Sequence, residues 1–322
     1  MPNLTPYVLH HAETKQLLTQ IDVHQAMVAM FLDLVSGNAV QPPQQLVEFP
    51  NGTGDFINYL GVWAAQGVYG VKTSPYIVRQ QGPLITAWTL LMSMHSGQPL
   101  LLCDAGLLTT ARTAATTAVA VDALAPKQAT RLAVIGSGAV ARAHVHYAKG
   151  LRDWQSIRMY SPGLLEQGVA HGLELQQLDP RLQLCSSLQE ATDEAEVIML
   201  CTSSAGPVLD PASLSRPALI TSISTNAPGA HEVPPQSLPD MDVYCDYRAT
   251  TPASAGEMRL ASEQYDWDSA QIRGDLAELL ANQAAQPDYQ RHAFFRSIGL
   301  GLEDIALANA LYQLKCRQEI AQ

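Results

Sequence analysis

A chain of 322 residues that is 47% hydrophobic and 15% charged has the material for two cores and does not have the composition of a disordered protein. Its formal net charge is −11 and it carries no basic tract, which argues against nucleic acid and anionic membrane as partners. The first residues lack a basic segment followed by an apolar one, and the most apolar stretch, 84–94, is too short to span a bilayer. Five scattered cysteines without a CxxC pair (103, 185, 201, 245 and 316) read as reduced core residues, so a cytoplasmic protein is expected.

Asp22 is placed to cap a helix in which Val23, Met27, Met30, Phe31 and Leu34 recur at spacings of three and four, and Gly37 ends it. Gln41-Pro-Pro43 excludes helix. Residues 46–49, 56–63 and 68–72 then read as strands separated by Asn-Gly and Gly turns, and 84–94 and 100–103 as two more. Residues 109–124, rich in Ala, Thr and Val with the single arginine Arg112, read as a buried helix joining two modules. Ala125-Pro126-Lys127 marks the boundary, which predicts domains of 1–125 and 126–301. Beyond it strands (132–135, 156–160, 182–185, 197–201, 218–223, 243–246) alternate with helices (139–150, near 164–176, after Ser187). That rhythm predicts an α/β fold with a Rossmann doubly wound parallel sheet. Helices near 274–282 and 302–318 close the chain.

The first of these units holds Gly136-x-Gly138-x-x-Ala141, directly after an apolar strand and directly before a helix. This is the dinucleotide fingerprint. Gly136 allows the tight turn, Gly138 admits a pyrophosphate to the backbone, and Ala141 lets helix and strand pack closely. The first helical residues, Ala139 and Val140, offer their free N–H groups to the phosphates. An NAD site places an acid near the end of the second strand, about twenty residues on. Here that strand is followed by Ser161 and no carboxylate, which favours NADPH over NADH; Arg142 is the candidate cation, with an exposed helix arginine as the alternative.

Three further stretches stand out. Lys72 ends an apolar strand, Arg112 lies in an otherwise small and apolar helix, and 224–232 follows a parallel strand at its carboxyl end, where ligands bind. Buried lone cations are costly, so Lys72 and Arg112 each require a bound anion or an internal partner such as Asp104. His10-His11 and His144-x-His146 do not make a metal site, because residues two apart on a helix face different ways. His231 and Glu232 read as loop or helix-start residues. Glu303-Asp304 reads as a cap or charge on the first turn of the last helix, with Asp304 near the cofactor as the alternative.

Taken together, Gly70-Val-Lys72, Arg112-Thr-Ala-Ala115, the stretch 136–141, Cys201-Thr-Ser-Ser204, Asn226-Ala-Pro-Gly229, Gly256-Glu257 and Ser297-Ile-Gly-Leu-Gly-Leu-Glu-Asp304 resemble the ornithine cyclodeaminase/μ-crystallin family over nearly the whole chain. No single motif is specific; their order and spacing are. The resemblance implies a homodimer. It implies a smaller α+β substrate-binding and dimerisation domain of 1–125 completed by 302–322, joined to the Rossmann domain. It also implies hydride transfer between nicotinamide and an imine beside a carboxylate. Lys72 and Arg112 would hold the substrate carboxylate, with Lys72 also serving the imine nitrogen. Thr86, Arg112, Thr113, Thr202, Ser203 and Gly299 would line the cofactor.

Two departures narrow the expectation. Cyclodeaminases carry an aspartate where this chain has Asn226, and asparagine cannot act as a base. Many members carry an arginine where this chain has Gln44, a weaker clamp on a carboxylate. Asn226 shifts the expectation toward NAD(P)H-dependent reduction of a small cyclic imino acid: Δ1-pyrroline-2-carboxylate to proline, then Δ1-piperideine-2-carboxylate to pipecolate. The alternatives are an ornithine cyclodeaminase with recycled NAD, an alanine-dehydrogenase-like amino-acid dehydrogenase using ammonia, and a non-catalytic NADP(H)-binding protein.

Overall fold

A computed structural model describes residues 5–224 and 229–321, and the chain divides into two units inside one helix, Gly106–Leu124. One unit comprises Met1–Arg112 with Leu300–Gln322, the other Thr113–Gly299. No helix among the described residues is long and apolar enough to cross a membrane.

The first unit is built on an eight-stranded mixed sheet. Its main path runs Tyr7–Leu9, Pro99–Asp104, Trp88–Ser93, Val68–Ile77, Gly54–Trp63, Ala39–Val40, with Gln45–Glu48 added on Gly54–Trp63 and Leu84–Ile85 on Val68–Ile77. Only the Tyr7–Leu9 pairing is parallel. The helix Val23–Val35 is capped by Asp22, whose side chain accepts from Gln25 N–H at 2.9 Å, and it buries Val23, Met27, Met30, Phe31 and Leu34 as its periodicity requires. Residues 84–94 are two strands rather than one, broken at Thr86 and Ala87. The edge strand Tyr7–Leu9 and the helix His11–Leu18 have no marked periodicity and were not expected. The last helix, Gly301–Ile320, belongs to this unit and buries most of its first half.

The second unit is an eight-stranded sheet in the order Leu182–Leu184, Ser156–Tyr160, Arg131–Ile135, Val197–Leu200, Leu219–Ser222, Ala293–Arg296, Asp242–Cys245, Gly274–Asp275, with every pairing parallel. The strand order therefore reverses between Arg131–Ile135 and Val197–Leu200, as in a Rossmann fold. Val197–Leu200 and Leu219–Ser222 are buried throughout, and Val197–Leu200 reads as a continuous apolar run, the signature of a strand covered on both faces. Two elements differ from expectation. Ala293–Arg296 is a strand whose terminal arginine hides its character; Arg296 is buried and pairs with Glu257 at 2.9 Å. Residues 274–282 hold a short strand and then the helix Leu276–Leu280, capped by Asp275.

Candidate functional site

In the first unit the site grows from two glycines. Gly61 pairs with Gly70 and Tyr59 with Lys72 across adjacent antiparallel strands, so the Tyr59 and Lys72 side chains and the two bare glycine positions share one face. A Cβ on Gly61 would stand 2.8 Å from Ile305 Cδ1, and one on Gly70 2.8 Å from Ile305 Cγ1. The bare backbone lets the last helix settle on the sheet, and Leu302 N–H donates to Gln41 Oε1 at 3.0 Å to fix its start. Its first turn then delivers two acids beneath the surface. Lys72 Nζ lies 3.0 Å from Asp304 Oδ2, 4.0 Å from the Tyr59 ring centre, and donates to Thr109 Oγ1 at 3.4 Å. Arg112 Nη1 lies 2.9 Å from Glu303 Oε2 and its Nε 3.4 Å from Asp304 Oδ1. Lys72 and Arg112 are 2% and 4% exposed, the two acids 0%.

The internal partners of Lys72 and Arg112 are thus Glu303 and Asp304, not Asp104, which lies 3.5 Å from His11. Glu303 and Asp304 do stand in the first turn of the last helix, but as buried counter-ions instead of a surface cap. Burial pulls the Lys72 ammonium down to about 8, with Asp304 partly restoring it and Arg112 opposing it further. Burial also acts against the Arg112 charge, but Asp304 and Glu303 outweigh it and hold its pKa above the ordinary guanidinium value. The result is a buried cluster of two cationic and two acidic side chains whose lysine is pulled down to about 8. Gln44 is half-buried and its Oε1 is buried without a hydrogen-bond partner among the described residues. Thr86 is exposed, and its carbonyl accepts from Ser74 Oγ at 2.8 Å.

In the second unit, Gly136 adopts φ +122°, and a side chain there would collide with the Cys201 carbonyl oxygen. Its N–H donates to the Tyr160 carbonyl at 2.8 Å. Gly138 is the N-cap of the helix Ala139–Ala148 and has open space around it; Ala139 is exposed and Val140 half-buried. A sharp turn, a bare glycine and an open helix start fit a dinucleotide pyrophosphate. Buried His144 accounts for itself: its Nδ1 donates to the Val140 carbonyl at 2.7 Å and its Nε2 lies 3.0 Å from Thr117 Oγ1. Burial lowers its pKa to about 4, so it is a neutral strut. Thr113, one turn before Thr117, is half-buried, and its carbonyl accepts from the Thr117 hydroxyl. Ser161 is half-buried after the second strand, and Arg142 is engaged by Glu174 at 2.6 Å.

Two buried carboxylates organise the carboxyl ends of the strands. Glu232, taken from sequence for a loop residue, binds Thr202, Ser222, Ile223 and Ser224. Asp246, which sequence reasoning passed over, accepts from Ile298 N–H at 2.7 Å, Gly299 N–H at 3.0 Å and Ser297 Oγ at 3.0 Å, and from the Thr251 hydroxyl. The only available signal was an acid at the carboxyl end of a parallel strand. Gly299 has φ +78°; the Thr202 hydroxyl is spent on Glu232, and Ser203 is exposed. Asn226 lies outside the described residues.

The family model for the ornithine cyclodeaminase/mu-crystallin family matches residues 5–318. The NAD(P)H-dependent anabolic L-arginine dehydrogenase DauB of Pseudomonas aeruginosa is 68% identical, the match covering 98% of this chain and 99% of that protein. The ketimine reductase mu-crystallin of Rattus norvegicus is 26% identical over 95% of this chain and 94% of its own. The structure of Thermococcus litoralis Δ1-pyrroline-2-carboxylate reductase, solved with NADH and L-proline, has the same fold: TM-score 0.88 at 21% identity, covering 97% of this chain and 98% of that one. A match spanning almost every residue, on a chain whose parallel sheet and phosphate turn are of the kind described above, has one meaning: this protein belongs to the ornithine cyclodeaminase/mu-crystallin family.

Proposed function

We propose that the protein is an NAD(P)H-dependent amino-acid dehydrogenase working in the reductive direction, and that its product is L-arginine. The observation that carries this reading is the 68% identity, over essentially the whole of both chains, to the Pseudomonas aeruginosa L-arginine dehydrogenase. The balanced reaction joins a 5-guanidino-2-oxo acid and ammonia with loss of water, then adds hydride and a proton across the C=N bond. This moves the substrate from the small cyclic imine expected at first to an open-chain 2-imino acid; the reacting centre, an imine carbon beside a carboxylate, is the same.

Lys72 and Arg112 would orient the carboxylate, and Lys72, titrating near 8, would hold the imine nitrogen protonated so that its carbon accepts hydride. Gly136, Gly138, Ala139 and Val140 would cradle the pyrophosphate. Thr113, Ser161, Ser203 and Gly299 would serve the rest of the cofactor, with Thr86 and Asn226 toward the nicotinamide. When bound, the reduced nicotinamide supplies the hydride. The working assembly in this reading is a homodimer, to be checked by light scattering.

The test follows NADPH and NADH oxidation with 5-guanidino-2-oxopentanoate, with and without ammonia, beside Δ1-pyrroline-2-carboxylate without ammonia. Ammonia-dependent oxidation on the guanidino acid, at a kcat/KM at least about tenfold above that on the cyclic imine, is expected. Faster ammonia-independent oxidation on Δ1-pyrroline-2-carboxylate would return the cyclic imino acid as the substrate.

A further inference from the structure

Lys72 is buried, and its ammonium has three N–H groups to satisfy. Asp304 Oδ2 at 3.0 Å answers one. Thr109 Oγ1 at 3.4 Å is a long second partner, its own hydrogen already donated to the Ala105 carbonyl at 2.9 Å. The strand register supplies two further neighbours in the same row, Tyr59 on one side and Thr89 on the other. Thr89 is fully buried and its hydroxyl has no hydrogen-bond partner among the described residues. The ammonium lies instead over the Tyr59 ring, 4.0 Å from its centre.

Lys72 thus sets its charge over an aromatic face and leaves the hydroxyl beside it unused. Such a face is electron-rich and attracts a cation within about 6 Å, most strongly where water is excluded. Tyr59 is itself buried, and burial raises its pKa well above the ordinary phenol value, so the ring stays uncharged. The charged and titratable groups around the lysine are Asp304 and Glu303 of the last helix, Arg112 of Gly106–Leu124 and, one position further along the row, Cys103 of Pro99–Asp104. Burial keeps the Cys103 thiol protonated, and Arg112 works against a second positive charge. Asp304 is divided between the two cations, its other oxygen lying 3.4 Å from Arg112 Nε. The ring therefore adds support where the shared carboxylate is not enough.

We infer that the Tyr59 ring is a positioning residue for the reaction, holding the Lys72 ammonium charged and fixed over its face. This rests on the reductase reading above, in which Lys72 serves the imine nitrogen.

The experiment compares full-length wild type, Tyr59→Phe and Tyr59→Leu by two readouts. One is the pH dependence of kcat/KM for NADPH oxidation with 5-guanidino-2-oxopentanoate, at a fixed total ammonia common to all three. The other is the titration of the Lys72 13Cε resonance in lysine-labelled protein, assigned by its loss in Lys72→Met. Tyr59→Phe keeps the ring, and both midpoints should stay within about 0.3 unit of wild type. Tyr59→Leu removes it, and both should fall by about one unit, so that the rate well above both midpoints is about tenfold lower. If that variant does not fold, Tyr59→Met takes its place with the same expectation. Midpoints in Tyr59→Leu that stay or rise overturn the inference, as does a Tyr59→Phe protein that shifts as far as Tyr59→Leu. A lysine midpoint that falls while the rate profile does not overturns the part of Tyr59 in the reaction. A wild-type protein that reduces neither the guanidino-oxo acid nor Δ1-pyrroline-2-carboxylate overturns the reductase reading and that part with it, while the resonance titration still decides whether the ring holds the ammonium.

Discussion

Lys72 Nζ stands 3.0 Å from Asp304 Oδ2, with both side chains buried. The pair joins the middle of a sheet to the first turn of the last helix, and Asp304 partly offsets the burial that lowers the pKa of the lysine on which the proposed chemistry turns. With burial holding Lys72 at about 8, the rate of imine reduction should fall as pH rises through that value. Asp304→Asn removes the charge that supports the ammonium, so the alkaline limb should move to lower pH by about one unit. A pH–rate profile of both proteins checks this; coincident limbs would disconnect Lys72 from the proton transfer. The same variant breaks a buried pair, and a loss of about 3 kcal/mol in stability is expected.

Stability itself should carry the lysine's signature. The folded state releases the Lys72 proton near 8, whereas the unfolded chain keeps it to about 10.5. Between those values the unfolded state binds more protons, so stability contributed by this group rises with pH. Below 8 the cost of the buried charge is present in full. Measured against Lys72→Met by denaturant unfolding from pH 7 to 10.5, the wild type should gain up to about 3 kcal/mol relative to the variant. A difference that is flat with pH would mean an ordinary lysine.

The two glycines of the phosphate turn should separate folding from binding. A Cβ at Gly138 meets nothing within 4 Å, while one at Gly136 strikes the Cys201 carbonyl in a backbone conformation that disfavours side chains. Gly138→Ala should therefore keep the ligand-free Tm within about 1 °C and weaken NADPH binding at least about tenfold. Gly136→Ala should lower the ligand-free Tm as well. Thermal unfolding with and without NADPH distinguishes them, and tight binding by Gly138→Ala would exclude the turn as the pyrophosphate site.

Gly61 tests the seat of the last helix. An alanine there meets Ile305 Cδ1 at 2.8 Å and Leu302 Cδ2 at 2.9 Å. Gly61→Ala should cost about 1–3 kcal/mol by overpacking, and Ile305→Val, which deletes the offending carbon, should restore part of it. Strictly additive losses in the double-mutant cycle would refute the contact.

Gln44 offers a test of substrate charge. Its buried, unpartnered Oε1 can accept from a guanidino group, and an arginine at 44 would repel one. Gln44→Arg should raise KM for the guanidino-oxo acid about tenfold and leave that for Δ1-pyrroline-2-carboxylate unchanged. Equal effects on both would place Gln44 away from the substrate side chain.

Sequence reasoning reached the second unit well because its strands are apolar runs and its phosphate turn has fixed spacing. It singled out Lys72 and Arg112 as cations in apolar elements that need a bound anion or an internal partner, and the structure supplies internal partners. It could not name the counter-charge, because Asp304 is brought to Lys72, and Glu303 and Asp304 to Arg112, only by packing that no local pattern encodes. Ala293–Arg296 escaped notice because a four-residue strand ending in arginine reads as a loop. Asp246 and Glu232 escaped because hydrogen bonds from backbone N–H groups leave no mark in the sequence.

The first unit is made from the two ends of the chain, with the whole of Thr113–Gly299 threaded between them. During synthesis the sheet carrying Gly61, Gly70 and Lys72 emerges long before the helix that covers it. Until residue 304 leaves the ribosome, Lys72 has no carboxylate and the glycine-floored face has no lid. Closure of this unit therefore depends on contacts of very high sequence separation, the kind that slows folding.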